Sequence, residues 1–204
     1  VKMSTGQPPW SLELEPEETW LLGILLDVYQ PLVDPDDEVD SDGEADRTED
    51  LDGPEDGDAD DDCFDFWESD LSPTVIDRDH EDPALRRLFP DAYPDDALAS
   101  AEFRRFTLAG QRRERLDDIA FLRRALDALD EGPLIVQESQ IDQWLRVANA
   151  LRLVLASRLG IVDETTADQA ERTAEQDPSD IVHPAYEWLG VLIEILIEVS
   201  WGQD

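Results

Sequence analysis

The chain has 204 residues, room for one ordinary domain. Its 52 acids against 16 bases give a net charge of −36, which repels nucleic-acid phosphates and anionic lipid alike. A single cysteine, Cys63, excludes an internal disulfide, a paired-cysteine redox motif and a cysteine-based zinc site; two histidines leave little for a catalytic or metal-binding cluster.

The acidity is local. Residues 34–82 hold 24 acids and 2 bases, whereas residues 83–160 hold 12 of each. This pattern divides the chain into an N-terminal strand and core helix (1–33), an acidic insert (34–81) and the remainder of the same helical domain (82–204). No signal peptide is read in residues 1–10, which have one lysine and no apolar run. The apolar stretches 20–33 and 189–201 contain acids and fall short of the roughly 20 residues a bilayer span requires. A cytoplasmic location is the resulting expectation.

In chain order, Trp10, Leu12 and Leu14 alternate with Ser11, Glu13 and Glu15, the period of a half-buried strand. Pro16 suits a first helical position, and Glu17 and Glu18 suit the positive end of a helix running to about Gln30, before Pro31. That helix is apolar except for a stripe of Gly23, Asp27 and Gln30, as in a core or interface helix. Residues 34–62 carry too few apolar side chains to offset about 1–2 kcal/mol of backbone entropy per residue, so the insert reads as disordered.

Beyond the insert, Asp82 is placed to cap a short helix over 83–89. A helix from Asp95 to about Leu108 presents Leu98, Phe103 and Phe106. A second, from Gln111 to Asp130, repeats Leu116, Ile119, Leu122, Leu126 and Leu129 at helical spacing, and Gly132-Pro133 ends it. Leu134–Gln137 is a short strand whose natural partner is the N-terminal strand. A helix over 140–159 presents Trp144, Val147, Leu151, Val154 and Leu155 and closes at Gly160. A polar loop of about 20 residues follows. The last helix, 184–201, is apolar around most of its circumference; only Glu187, Glu194 and Glu198 mark a wet stripe, and Trp201 falls in line with Glu187 and Glu194. The expected fold is mostly α: a compact helical bundle with a minimal two-stranded β element and a long acidic disordered insert. The two most apolar helices are expected either to pack together at the centre or to leave a face for a homodimer.

Several segments invite a chemical reading. Residues 38–49 place acids at four positions and Gly43 at the sixth of a calcium-binding loop, but Glu38 is too long for the first position and Pro31 and Pro35 spoil the entering helix. A solvated acidic tract is the plainer reading. Cys63, Phe64, Phe66 and Trp67 set aromatics among acids, the pattern of a docking segment whose rings fill a pocket while its acids meet a basic rim. Folding back of these rings onto the domain is the alternative. Cys63 is also the redox candidate, although neighbouring acids disfavour its thiolate. Arg104, Arg105, Arg112, Arg113 and Arg115 form either surface ion pairs with Asp117, Asp118 and Asp127 or a dock for the insert or an acidic partner. Arg152 lies near an apolar face and calls for a carboxylate partner. No catalytic, cofactor-binding or metal-ligating residue is assigned, and no phosphate loop, dinucleotide fingerprint or nucleophile elbow is present.

The run Asp82-Pro83-Ala84-Leu85-Arg86-Arg87-Leu88-Phe89-Pro90-Asp91-Ala92-Tyr93 is followed by Glu102-Phe103-Arg104-Arg105, Trp144-Leu145-Arg146, Leu151-Arg152-Leu153-Val154-Leu155, Arg158-Leu159-Gly160 and Tyr186-Glu187-Trp188-Leu189. In this order the chain resembles the actinobacterial domain-of-unknown-function 2017 family of AosR-like oxidative-stress regulators, over residues 10–33 and 82–203. The resemblance implies a mainly helical cytoplasmic protein without an established enzymatic activity. Genes of that family commonly lie near a Clp-protease adaptor and a metallopeptidase of cysteine biosynthesis, so the resemblance implies links to protein turnover or to transcription of sulfur and redox genes through a sigma factor. Redox control by a cysteine pair does not carry over, because Cys63 stands alone. The expected function is therefore non-enzymatic regulation through protein contacts, with a sigma factor or RNA polymerase as partner and no direct nucleic acid or membrane contact. A Clp-proteolysis adaptor is the runner-up, and a calcium-responsive acidic protein the third reading.

Overall fold

The computed structural model describes residues 1–4, 6–34, 82–131, 133–177 and 180–201. The expected disorder of the insert, the calcium-type loop and the Cys63–Trp67 segment lie outside the described residues. Those residues form six α-helices and one antiparallel sheet: β1 (Lys2–Met3), β2 (Trp10–Glu13), α1 (Pro16–Val33), α2 (Pro83–Leu88), α3 (Ala97–Asp127), β3 (Leu134–Val136), α4 (Ile141–Arg158), α5 (Glu164–Ala174) and α6 (Val182–Trp201).

The sheet has three strands, in the order β1-β2-β3, rather than the expected two. The predicted partnership of the N-terminal and 134–137 strands holds, with Trp10 opposite Val136 and Leu12 opposite Leu134. These four side chains share one face and are all buried, while Ser11 and Ile135 point away. β1 adds Met3 opposite Leu12. Two residues are too few to show a period, which is why this strand escaped the sequence reading.

The centre of the molecule is α4, not a pairing of α1 with α6. Ile141, Trp144, Val147, Ala148, Ala150, Leu151, Val154 and Leu155 are buried around it, and it packs against α6, α2, α3 and α1. A helix that buries this much of its circumference needs neighbours on several sides. α1 and α6 reach each other at one end, where the Trp188 indole donates to Glu18 at 2.7 Å. Side chains from both sides of the insert enter one hydrophobic cluster, including Trp10, Leu26, Leu85, Leu122, Trp144 and Leu192.

Local signals explain the helix ends. Pro16 opens α1, and Glu15 and Glu18 form a capping box. α1 continues through Pro31 to Val33, because a proline in the last turn removes only one hydrogen bond, and the Asp34 N–H still reaches the Gln30 carbonyl at 3.0 Å. Asp82 caps α2, accepting from the Ala84 N–H at 2.7 Å, and also receives the Arg158 guanidinium at 2.8 Å. Gly160, at φ +68°, closes α4 in the left-handed conformation; the Ile161 N–H then returns to the Ala156 carbonyl at 2.8 Å.

Two helical expectations are corrected. Residues 97–127 form one helix rather than two, because Gly110 lowers helix propensity without breaking a ladder that contains no proline. The expected polar loop contains α5. It starts at Asp163, whose side chain accepts from the Thr166 N–H at 2.8 Å while the Thr166 hydroxyl accepts from the Asp163 N–H at 2.9 Å. α5 buries only Ala170, so it has a cap signal and almost no hydrophobic stripe.

Candidate protein-docking surface

The first half of α3 stands out from the packed body. Asp96 caps it, accepting from the Ala99 N–H at 3.0 Å. Ser100 is buried at its base; its hydroxyl donates to the Tyr93 carbonyl at 2.8 Å and accepts from the Tyr93 N–H at 3.0 Å. Arg104 pairs with Asp91. The preceding turn is thereby stitched to one side of the helix. On the opposite side, Leu98 is 84% exposed and Phe106 is 72% exposed; Phe103, between the two sides, is about half exposed and meets the half-exposed Tyr93 ring of the turn edge-to-face at 6.1 Å.

Helical spacing aligns Leu98, Glu102, Arg105, Phe106, Ala109 and Arg113 on one stripe. Arg105 lies over the Phe106 ring at 5.5 Å. Among the described residues neither Arg105 nor Arg113 forms an ion pair. Ala109 and Gly110 leave the middle of the stripe flat. The result is an apolar strip edged by two guanidinium groups, with Glu102 as its one acid, on a chain whose net charge is −36.

The structure separates the five arginines singled out from sequence. Arg105 and Arg113 face water. Arg104 is taken by Asp91. Arg112 is buried, with its guanidinium 5.9 Å from the Phe89 ring centre. Arg115 lies 5.7 Å from the same ring and donates to the Leu88 carbonyl at 3.3 Å. Arg112 and Arg115 therefore sit against the end of α2. The expected ion pairs of α3 arginines with Asp117, Asp118 and Asp127 give way to partners on other elements: Arg123 pairs with Asp27 of α1 at 2.7 Å. Asp118, buried, accepts two bonds from Arg146 of α4 at 2.7 Å and one from Gln143 at 3.0 Å. That bonding raises the Arg146 pKa further above its ordinary value. Among the described residues Arg152 finds no carboxylate; its guanidinium stacks 4.2 Å over the Tyr186 ring.

Tyr93, Leu98 and Phe106 are the surface residues that the sequence reading did not assign. Their spacing carried a signal. Leu98 and Phe103 are five apart and do not share a helical face, so a single buried stripe through Leu98, Phe103 and Phe106 was never available.

The signature motifs prove to be packing devices. Asp82 meets Arg158, Arg87 donates to the Ile161 carbonyl, and Trp144 meets Phe121 edge-to-face at 6.4 Å. An open hollow of about 390 Å³ lies between α4 and α5, lined by residues including Arg158, Leu159, Thr166, Gln169, Ala170 and Asp180. Among the described residues there is no group of three or more His, Cys, Asp or Glu side chains able to hold a metal ion, and no helix is long and apolar enough to cross a membrane.

Comparison with known proteins now gives the family. The model for the domain of unknown function DUF2017 matches residues 2–200. The chain belongs to that family. It is 32% identical over 133 residues to the oxidative stress regulator AosR of Mycobacterium tuberculosis and of Mycobacterium bovis; the match covers 59% of this chain and 59% of theirs. A Mycobacterium leprae relative that carries the AosR name is 33% identical over 129 residues, or 57% of this chain and 58% of its own. The chain thus spans under two thirds of the length of the curated relatives it matches. No solved structure matches.

Proposed function

We propose that this chain is a non-enzymatic regulatory protein of the oxidative-stress response that works through protein contacts, with a sigma factor or RNA polymerase as its target. The exposed face of α3 carries the reading. Leu98 and Phe106 stand in water at the end of a helix whose other half is buried, and an apolar patch rimmed by charge is the usual mark of a protein-binding surface. Arg105 and Arg113 suit a partner segment that is itself apolar and acidic. The names of the mycobacterial relatives support the regulatory role, and the net charge of −36 disfavours direct reading of DNA.

The test is direct binding between purified components. The full chain and its Leu98→Ser/Phe106→Ser variant are titrated against actinobacterial sigma factors and RNA polymerase, with melting temperatures measured in parallel. The expected result is binding by the parent chain and at least a tenfold loss in the variant, about 1.4 kcal/mol, at an unchanged melting temperature. Equal binding by both, or binding to none of these targets, overturns the reading.

A further inference from the structure

α6 has an outer face that the core does not use. Leu189, Leu192, Leu196 and Val199 sink its inner side into the body, while Glu187, Val191, Glu194, Glu198 and Trp201 are exposed on the other. These five are four, three, four and three residues apart, which is the spacing of a single seam along a helix. Val191 is about half exposed and Trp201 is 79% exposed. Among the described residues none of the three glutamates forms an ion pair. The seam is therefore apolar and acidic, with no base, where the α3 strip is apolar and basic. We propose that the outer face of α6 binds the α3 strip of a second copy of this chain, the two helices running antiparallel. The inference shares with the proposed function the use of α3 as a docking face, but not the identity of the target.

Charge and register select the occupant. From Leu98 to Arg113 and from Glu187 to Trp201 the two stripes are each about 21–23 Å long. With Leu98 set opposite Trp201 and the helices antiparallel, the stripes advance in step: Arg105 meets Glu194, Ala109 meets Val191 and Arg113 meets Glu187. Two apolar pairs and two ion pairs form, and one pair is unfavourable, Glu102 opposite Glu198. A parallel alignment puts Leu98 on Glu187, Glu102 on Val191 and Ala109 on Glu198, and keeps only one ion pair. Antiparallel helices also set their macrodipoles head to tail. A single pair of helices buries less than the roughly 1,200 Å² of a standard stable interface, so the contact is weak and reversible. The second copy then competes with an acidic partner for Arg105 and Arg113.

The test is sedimentation equilibrium of the full chain over a wide range of concentration, at about 0.15 M salt, where the screening length is about 8 Å. Two charge reversals are compared with the parent: Glu187→Arg/Glu194→Arg on α6 and Arg105→Glu/Arg113→Glu on α3. All four positions are exposed, and melting temperatures confirm that both variants fold. The expected result is concentration-dependent association of the parent, weakened by roughly tenfold or more in each variant alone. An equimolar mixture of the two variants recovers it, because the intact α3 of the first meets the intact α6 of the second. Register is read from the unfavourable pair. Glu102→Lys and Glu198→Lys each strengthen association by about threefold, and the double variant loses the gain. A parent chain that stays monomeric, association that survives either reversal, or a mixture that fails to associate overturns the proposal. An α6-to-α6 contact through Trp201 survives Arg105→Glu/Arg113→Glu and so counts against it. A gain retained by the double variant overturns the antiparallel register. The Glu187→Arg/Glu194→Arg chain keeps α3 intact, and none of these outcomes touches the Leu98→Ser/Phe106→Ser binding result, so the two readings fail separately.

Discussion

From Glu114 to Asp127, α3 lies against the body and sinks Ile119 and Leu122 into the core, while from Ala97 to Arg113 it holds Leu98 and Phe106 in water. The backbone hydrogen bonding is the same in both halves. What differs is the neighbours: Asp27 of α1 and Trp144 of α4 meet the second half, whereas the first half is held along one side by the turn that contains Asp91 and Tyr93. Helix formation is set locally, by propensity and caps; burial is set by what the rest of the chain brings alongside. An apolar residue on a helix is therefore evidence of a core only where another element covers it.

The largest expected contrast sets Leu122 against Phe106. Leu122→Ala leaves a cavity in the core and is expected to cost about 2–5 kcal/mol. Phe106→Ala removes a larger side chain and is expected to change stability by no more than about 0.5 kcal/mol. Urea denaturation of the two variants measures both. Similar losses would mean that the first half of α3 is covered after all.

The junction with α4 comes next. Asp118 is buried and holds Arg146 and Gln143 together, so Asp118→Ala strands the donors of both. Hydrogen bonds to charged groups put the loss at about 1.5–3 kcal/mol. Arg146 can still turn to water, which favours the lower end of that range. A loss below 0.5 kcal/mol, the ordinary surface scale, would show that the second half of α3 is anchored by its apolar contacts alone.

Gly110 marks the exposed half near its join with the buried one. A Cβ added there meets nothing within 4 Å, and the residue lies inside a continuous helix. Gly110→Ala is therefore expected to stabilise the chain by about 0.4–1 kcal/mol, read as a raised urea midpoint. A lowered midpoint would mean that the two halves need a hinge at this position, as two separate helices would.

This helix also shows where sequence reasoning reached and where it stopped. Signals carried by one or two residues and their immediate neighbours were legible: Pro16 opening α1, Asp82 capping α2, Gly160 turning left-handed after α4. The pairing of the strands around Trp10 and Leu134 was legible too, because both alternate over a buried face. Three things were not: the continuity of α3, the central place of α4 and the partners of the arginines. Each depends on elements distant in sequence. Arg123 and Asp27 are 96 positions apart, and nothing local says that they meet. The candidate site was legible only in composition. The arginine cluster was visible, but Arg112 and Arg115 went inward to Phe89 while Arg105 and Arg113 stayed out, a division made by the packing of α2.

The smallest predicted effect concerns Tyr29, where α1 meets the buried half of α3. Its ring is buried, and among the described residues its hydroxyl makes no well-formed hydrogen bond. Burial pushes the phenol above its ordinary value of 10.0; the nearby Arg115 opposes that rise and Asp118 adds to it. A raised folded pKa means that the native state keeps its proton where the unfolded chain has lost it. Stability from this group is then complete below about pH 10 and falls as pH climbs through the folded pKa. Tyr29→Phe removes both the unsatisfied hydroxyl and this titration. At neutral pH the variant is expected to be as stable as the parent or more so, by up to about 1 kcal/mol. Between pH 9 and 11 its advantage should widen. Urea midpoints for both chains across that range decide the matter: parallel pH curves would mean that the Tyr29 hydroxyl is open to water and that α1 does not seal the buried half of α3.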